Sequence, residues 1–237
     1  MLSINQKKYV NSLKQKKYRN QFSSFIVEGE KMIEELIKSD YTIEVIYGTE
    51  EISVPNFFLV SEKELASISS LSSPNKFLAV VKQKSNEFVE NSNSLILALD
   101  KIKDPGNMGT IIRIADWFGI DQLVCSLDCV DVYNSKVIQA TMGSIFRVKL
   151  KYEDLANFFQ KNSNKEVYGA LLDGENLYKT SIKPKNAVLL MGNESQGISK
   201  ELIPFITKRI TIPKFGNAES LNVAVATAIL CSESRRD

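Results

Sequence analysis

A mostly parallel α/β sheet, covered by helices on both faces and preceded by a smaller α/β unit, is the fold class that three observations predict. First, short apolar runs alternate with helical segments from residue 95 onward. Second, most of those runs are apolar almost without interruption, as strands buried on both faces are. Third, three strand runs, 95–99, 187–191 and 209–212, each lead into a loop rich in glycine or amides, at 104–110, 192–197 and 213–222. Loops leaving the carboxyl ends of parallel strands are where such sheets bind ligands, so these three predict one composite pocket.

The elements follow in order. The first segment carries Lys7, Lys8, Tyr9, Lys14, Lys16, Lys17, Tyr18 and Arg19, with Ile4, Val10 and Leu13 giving only a partial helical stripe. This basic and aromatic mix reads either as a surface for RNA phosphates and stacked bases or as a solvated helix face. Glu28-Gly29-Glu30 opens a helix with Met32, Ile33, Leu36 and Ile37 on one face. Residues 43–47, 57–60 and 77–81 read as strands, and Ser61 with Glu64 makes a capping box for a helix between the last two. Residues 1–84 thus form a small α/β unit with its own core, and the polar stretch 85–94 reads as a linker. Beyond it the pattern predicts further strands at 122–126, 147–150 and 167–172. Helices are expected at 108–118 (ended by Gly119), 134–141 and 152–160. The last helix, 221–231, is apolar nearly all round, which marks it for a large core or a subunit interface; its place at the chain terminus favours the interface.

At 237 residues the chain can hold one large domain or two modest ones. No apolar run reaches bilayer-spanning length, and the N-terminus lacks the apolar core of a signal peptide, so a cytoplasmic protein is expected. Cys125, Cys129 and Cys231 lack zinc-like spacing and are expected as buried reduced thiols. The chain contains no His. That excludes an imidazole base, a Ser-His-Asp triad and a His-ligated metal, and no metal site is expected. Catalysis would rest on carboxylates, Arg, Lys, hydroxyls, amides or a cofactor. The net charge of +2 is too small to identify a nucleic-acid partner by itself.

In the first loop Pro105-Gly106 makes a turn, and Asn107 is placed to cap the helix that follows. Arg113, two helical turns past Gly106 and one past Gly109, faces back toward the loop. There it can grip a phosphate or carboxylate through both guanidinium edges; the alternative is a surface pair with Asp116. In the second loop Gly192 ends a buried strand and Asn193-Glu194 follow at once. Glu194 therefore stands at a strand's carboxyl end, although a turn role shared with Ser195 is equally open. In the third, Ser220 is the expected N-cap of the last helix, and Asn222 falls within its first turn. The pattern Gly-x-Gly-x-x-Gly does not occur, which counts against a Rossmann-type oxidoreductase.

Together these loops resemble the SpoU (TrmH-type) branch of the SPOUT RNA methyltransferases. Asn107, Gly109 and Arg113 match that family's first motif, Asn-x-Gly-x-x-x-Arg. The run 192–198, Gly-Asn-Glu-Ser-Gln-Gly-Ile, resembles its second. Ile212-Pro213 with 219–226, Glu-Ser-Leu-Asn-Val-Ala-Val-Ala, resembles its third. Residues 134–147 look like its intermediate segment. The front unit, with Phe25-Ile26-Val27-Glu28-Gly29, is similar to the substrate-binding domain that many members carry.

The resemblance implies transfer of a methyl group from S-adenosylmethionine to a ribose 2′-hydroxyl in rRNA or tRNA, the two-domain layout leaning toward rRNA. It implies a homodimer, and a domain at 95–237 threaded into a trefoil knot. Periodicity does not predict a knot, and general folding rules disfavour one. Cofactor contacts are implied at Met191, Gly192, Ile212, Ser220, Leu221 and Ala226. Asn107, Arg113, Glu194, Ser220 and Asn222 are implied to frame the reacting ribose, with Arg113 crossing the dimer interface. Arg is often assigned the activating role in this family. A guanidinium with a pKa above about 12 is a poor base, however, and suits positioning and charge stabilisation better. Glu194 either accepts the proton or orients a partner. The alternative is a non-catalytic RNA-binding protein that keeps the fold; the intact set of five residues argues against it.

Overall fold

The computed structural model of the chain describes residues 1–84, 88 and 94–236. All but two residues of the expected linker at 85–94 lie outside the described residues. The chain forms two compact units, Met1–Ser85 with Asp131–Arg147, and Asn86–Val130 with Val148–Asp237.

The first unit begins with α1 (Ile4–Ser12), α2 (Lys16–Phe22), β1 (Ser24–Glu28), α3 (Glu30–Ile37), β2 (Ile43–Gly48), β3 (Phe57–Leu59), α4 (Glu62–Ala66) and β4 (Phe77–Lys82). The sheet order is β1-β4-β2-β3, with β4 antiparallel to both neighbours and β3 parallel to β2. The capping box at Ser61 and Glu64 forms as expected, and a second, from Ser3 and Gln6, opens α1. Strand β1 is missing from the sequence reading. It is buried at all five positions, so it shows no alternation to mark it. Leu2, Val10 and Leu13 join Ile26, Leu78 and Val80 in one core, which is what fixes α1 to the sheet.

Arg19 is not on the surface with the other basic residues of its segment. Its side chain is 5% exposed and pairs with Asp131 at 2.5 Å, while Nη1 donates to the carbonyls of Leu13 and Lys14. A buried Arg is held this way only when its donors are filled, and here they close the turn between α1 and α2.

The second unit continues with β5 (Ile96–Leu99), α5 (Pro105–Trp117) and β6 (Gln122–Cys125). The chain then contributes α6 (Ser135–Thr141) to the first unit, where it packs on β1. Gln139 donates to the Glu28 carbonyl at 2.8 Å, and the Tyr133 and Phe25 rings lie 4.5 Å apart. The expected boundary near residue 94 therefore differs from the packing, which returns 131–147 to the front unit. The second unit resumes with β7 (Lys149–Tyr152), α7 (Leu155–Lys161), β8 (Glu166–Asn176), β9 (Ala187–Met191), β10 (Lys208–Thr211) and α8 (Val223–Glu233). β7 starts two residues after its expected position because Ser144–Phe146 form a 3₁₀ turn first.

All six strands of this sheet are parallel, in the order β10-β8-β9-β5-β6-β7. Ile96, Ala98, Val188 and Leu190 pack with Leu155, Phe158 and Phe159 of α7. Their alternates Leu97, Leu99 and Leu189 are fully buried too, so the sheet is covered on both faces. α5 and α8 pack against each other. The three cysteines are free and buried. No described helix is long and apolar enough to cross a membrane.

Candidate active site

β9 lies between β5 and β8, and β10 follows β8, so the carboxyl ends of β5, β9 and β10 fall on one stretch of the sheet edge. The loops they release meet there. Asp104 is the N-cap of α5, accepting from Asn107 N at 2.7 Å, with Pro105 as the first helical residue. Proline suits that position because its missing N–H is not needed there. Asn107 is thus inside the first turn and is not the cap expected from sequence. Its side chain is free to reach out of the helix.

That side chain joins two other loops. Asn107 Nδ2 donates to Glu194 Oε1 at 2.7 Å, and Asn222 Nδ2 donates to Asn107 Oδ1 at 2.9 Å. Asn222, not Ser220, caps α8: its Oδ1 accepts from Ala224 N at 2.9 Å and Val225 N at 3.2 Å. The cap fixes which end of the Asn222 amide is oxygen. Nδ2 must then donate, Asn107 must accept through Oδ1, and Nδ2 of Asn107 is left to donate to Glu194. Each amide orientation dictates the next.

Glu194 is held from its other side by Asn193. Oδ1 of Asn193 accepts from the N–H groups of Ser195 and Gln196, so its Nδ2 donates, to the Lys101 carbonyl at 2.8 Å and to Glu194 Oε2 at 3.4 Å. The loop is closed by reciprocal 2.9 Å hydrogen bonds between Asn193 and Gly197. A Cβ on Gly192 would sit 2.3 Å from the Gly197 carbonyl carbon and 2.4 Å from Ile198 N, so only glycine allows this closure. Buried Asp100 anchors the far end through Ser199 N at 2.7 Å.

Beside this chain of side chains opens a cleft of about 990 Å³, at the upper end of the size range for small-molecule sites. Met191, Gly192, Ile212, Ser220, Leu221 and Ala226, the six expected cofactor contacts, all line it, and so does Glu194. Asn107 and Asn222 stand next to it through Glu194. Arg113 is not part of it. It is exposed on α5, and it forms no hydrogen bond or ion pair with a described residue, the pair with Asp116 included.

One wall was not legible from the motifs. Arg209 pairs with Gly169 and Ile210 with Glu175, so residues 170–174 of β8 bulge from the ladder and line the cleft up to Asp173. Gly174 permits this, since a Cβ there would meet the Ile210 backbone at 2.5 Å. The alternation of Gly169 and Gly174 around a short apolar run is the one available hint.

The lining fits an adenosine-bearing cofactor. Ile198, Ile212, Ala226 and Leu230 give an apolar floor. None of the backbone groups from Lys214 to Ser220 bonds a described residue, so the third loop presents free N–H and C=O groups along the cleft. A purine edge needs one of each, and a ribose needs acceptors.

A parallel sheet covered by helices on both faces, with its carboxyl-edge loops meeting at one cleft, is the fold expected of an RNA methyltransferase of the SPOUT type. The SpoU rRNA Methylase family model matches residues 94–232, and the MRM3-like substrate binding domain model matches residues 5–79. The chain belongs to the SpoU rRNA methylase family. It is 30% identical over 224 residues to the 23S rRNA (guanosine(2553)-2′-O)-methyltransferase RlmP of Bacillus subtilis (strain 168), covering 91% of this chain and 90% of that protein. A structure from Porphyromonas gingivalis, described as an RNA methyltransferase of the TrmH family, superposes with a TM-score of 0.91 at 38% identity, over 99% of this chain and 98% of that one. An AdoMet-bound rRNA methyltransferase from Sinorhizobium meliloti superposes with a TM-score of 0.89 at 28% identity, over 99% and 96% of the two chains.

Proposed function

We propose that this chain methylates a ribose 2′-hydroxyl of ribosomal RNA with S-adenosylmethionine as methyl donor, in the cytoplasm. The observation that carries this reading is the hydrogen-bonded series Asn222–Asn107–Glu194 at the mouth of a cleft suited to an adenosine cofactor. Family membership and the rRNA 2′-O-methyltransferase named above support the reaction and the substrate class.

When bound, S-adenosylmethionine supplies an electrophilic methyl group on a sulfonium. The work left to the protein is to orient the ribose hydroxyl and manage its proton and charge. Met191, Gly192, Ile212, Ser220, Leu221 and Ala226 hold the cofactor. Glu194 faces the ribose, kept in one orientation by the amides of Asn107 and Asn193, and takes or orients the hydroxyl proton. Ser220 and Asn222 orient the neighbouring groups by hydrogen bonds.

Arg113 acts from the partner subunit of a homodimer, gripping the phosphate beside the target ribose and stabilising the developing alkoxide. Two observations support the dimer. Arg113 stands exposed away from its own chain's cleft. One turn on, Trp117 is 84% exposed, and Val225 on the neighbouring α8 is 49% exposed; exposed apolar groups on packed helices suit a subunit interface. Threading of the chain into a trefoil knot by the segment ending in α8 is part of the same proposal.

Calorimetric titration with S-adenosylmethionine and, separately, NAD tests the reading. It predicts binding of the first alone, and transfer of labelled methyl to RNA by the same preparation. Binding of RNA without binding of S-adenosylmethionine would favour a non-catalytic RNA-binding protein instead.

A further inference from the structure

We propose that the outer faces of α1 and α2 form a single-stranded RNA anchor, in which unpaired lysines hold phosphates and Tyr18 with Phe22 provides a stacking platform for a base. The proposal deepens the RNA methyltransferase reading and rests on it for the choice of RNA as ligand.

Charge is distributed unevenly along this chain. Residues 1–22 contain five Lys and one Arg and no acidic residue, leaving the rest with 24 basic against 28 acidic residues. The small overall charge hides one concentrated basic segment. The structure then sorts that segment. Arg19 is spent internally on Asp131, Leu13 and Lys14. Lys14 donates to the Ser69 carbonyl. Tyr9 is half-buried, with its hydroxyl on Glu44. Lys7, Lys8, Lys16 and Lys17 remain, and none of them pairs with a described carboxylate.

Two of these remaining cations, Lys7 and Lys8, line a shallow groove of about 440 Å³ at the elbow between the two helices. Lys7, Lys8, Asn11, Gln15 and Tyr18 line it, and no carboxylate does. Lys7 and Asn11, and Lys8 and Ser12, are spaced one helical turn apart, so each lysine has an amide or hydroxyl beside it on its own face. Tyr18 and Phe22, one turn apart on α2, are stacked with centroids 6.5 Å apart and planes 17° from parallel. Phe22 is more than one third exposed, and Lys17 lies 5.7 Å from the Tyr18 ring centroid. A flat aromatic pair with Lys17 over one of its rings, beside a lysine-lined groove that no carboxylate lines, is the arrangement that holds a single strand without reading its sequence. A duplex offers phosphates but no base face to Tyr18, so the stacking pair selects the single strand.

The test uses the full-length protein and a fluorescein-labelled 12-nucleotide oligouridylate, titrated at several salt concentrations. Lys8→Ala combined with Lys17→Ala should weaken binding about tenfold at physiological salt and reduce the slope of log affinity against log salt by about 1.4, two contacts at about 0.7 each for a single strand. Tyr18→Ala should weaken binding roughly five- to hundredfold and leave the salt slope unchanged. Both variants should keep wild-type thermal unfolding and wild-type affinity for S-adenosylmethionine. An unchanged slope in the lysine variant, or unchanged affinity in Tyr18→Ala, would overturn the anchor. So would loss of binding to phosphatidylserine vesicles with oligouridylate affinity intact, which would make this face a membrane surface. Failure of the wild type to bind S-adenosylmethionine would strike the methyltransferase reading and leave the anchor standing.

Discussion

Asn222 Nδ2 and Asn107 Oδ1 lie 2.9 Å apart and join two loops separated by 115 residues of sequence. The contact makes the N-cap of α8 and the orientation of Glu194 one linked arrangement, because the same Asn222 side chain serves both. The site is therefore sensitive to changes that leave every residue touching the cleft in place.

Asn222 separates stability from activity. Asn222→Ala removes the cap and should destabilise the protein by about 0.5–2 kcal/mol. Asn222→Asp keeps the cap oxygen but sets a carboxylate oxygen against Asn107 Oδ1. It should unfold near the wild-type temperature and lose most of its turnover, with Asn107 turned away from Glu194. Thermal unfolding and single-turnover methylation, measured on both variants, check this.

In the proposed homodimer Arg113 serves the partner's site, so its loss should be complemented. Arg113→Ala and Glu194→Ala are each expected to be nearly inactive. Random reassortment of the two would make half of the dimers mixed, each with one complete site, and should restore about one quarter of wild-type activity. No restoration would mean that Arg113 acts within its own chain. Arg113→Lys should also lose most of its turnover, since an ammonium cannot make the paired contact of a guanidinium.

Gly192→Ala pushes a methyl group into the Gly197–Ile198 backbone, at 2.3 to 2.6 Å. The loop must open, and with it this wall of the cleft. Affinity for S-adenosylmethionine should fall at least about tenfold, a loss of one well-placed contact. Calorimetry reads this directly.

Arg19→Met leaves the part-buried Asp131 without its cation. Breaking a fully buried pair from one side costs about 3–5 kcal/mol, so chemical denaturation should show a loss toward the lower end of that range. The oligouridylate salt slope should be unchanged in whatever fraction stays folded, because Arg19 does not face solvent.

Much of this architecture was legible because parallel strands buried on both faces leave an almost unbroken apolar signature, as 95–99 and 187–191 do. The six residues that the resemblance implies as cofactor contacts all line one cleft. The caps were less legible. Asp104 and Asn107, and Ser220 and Asn222, are pairs of good capping residues two or three positions apart, and only packing decides which begins the helix. The bulge at 170–174 was hidden because Ala170-Leu171-Leu172 continues the strand's apolar run. Chain order places residues 131–147 in the second domain, whereas Gln139 and Tyr133 find partners on β1. Arg19 shows the limit of composition: a cation in a basic run reads as solvated until its partner acid, Asp131, is in view.

The most direct test is methyl transfer to RNA from cells lacking this protein, followed by nucleoside mass spectrometry of the product. The account predicts a single new 2′-O-methyl nucleoside in ribosomal RNA, absent when Arg113→Ala or Asn107→Ala replaces the wild type. A methyl group on a base, or a 2′-O-methyl nucleoside formed equally well by those variants, would contradict it.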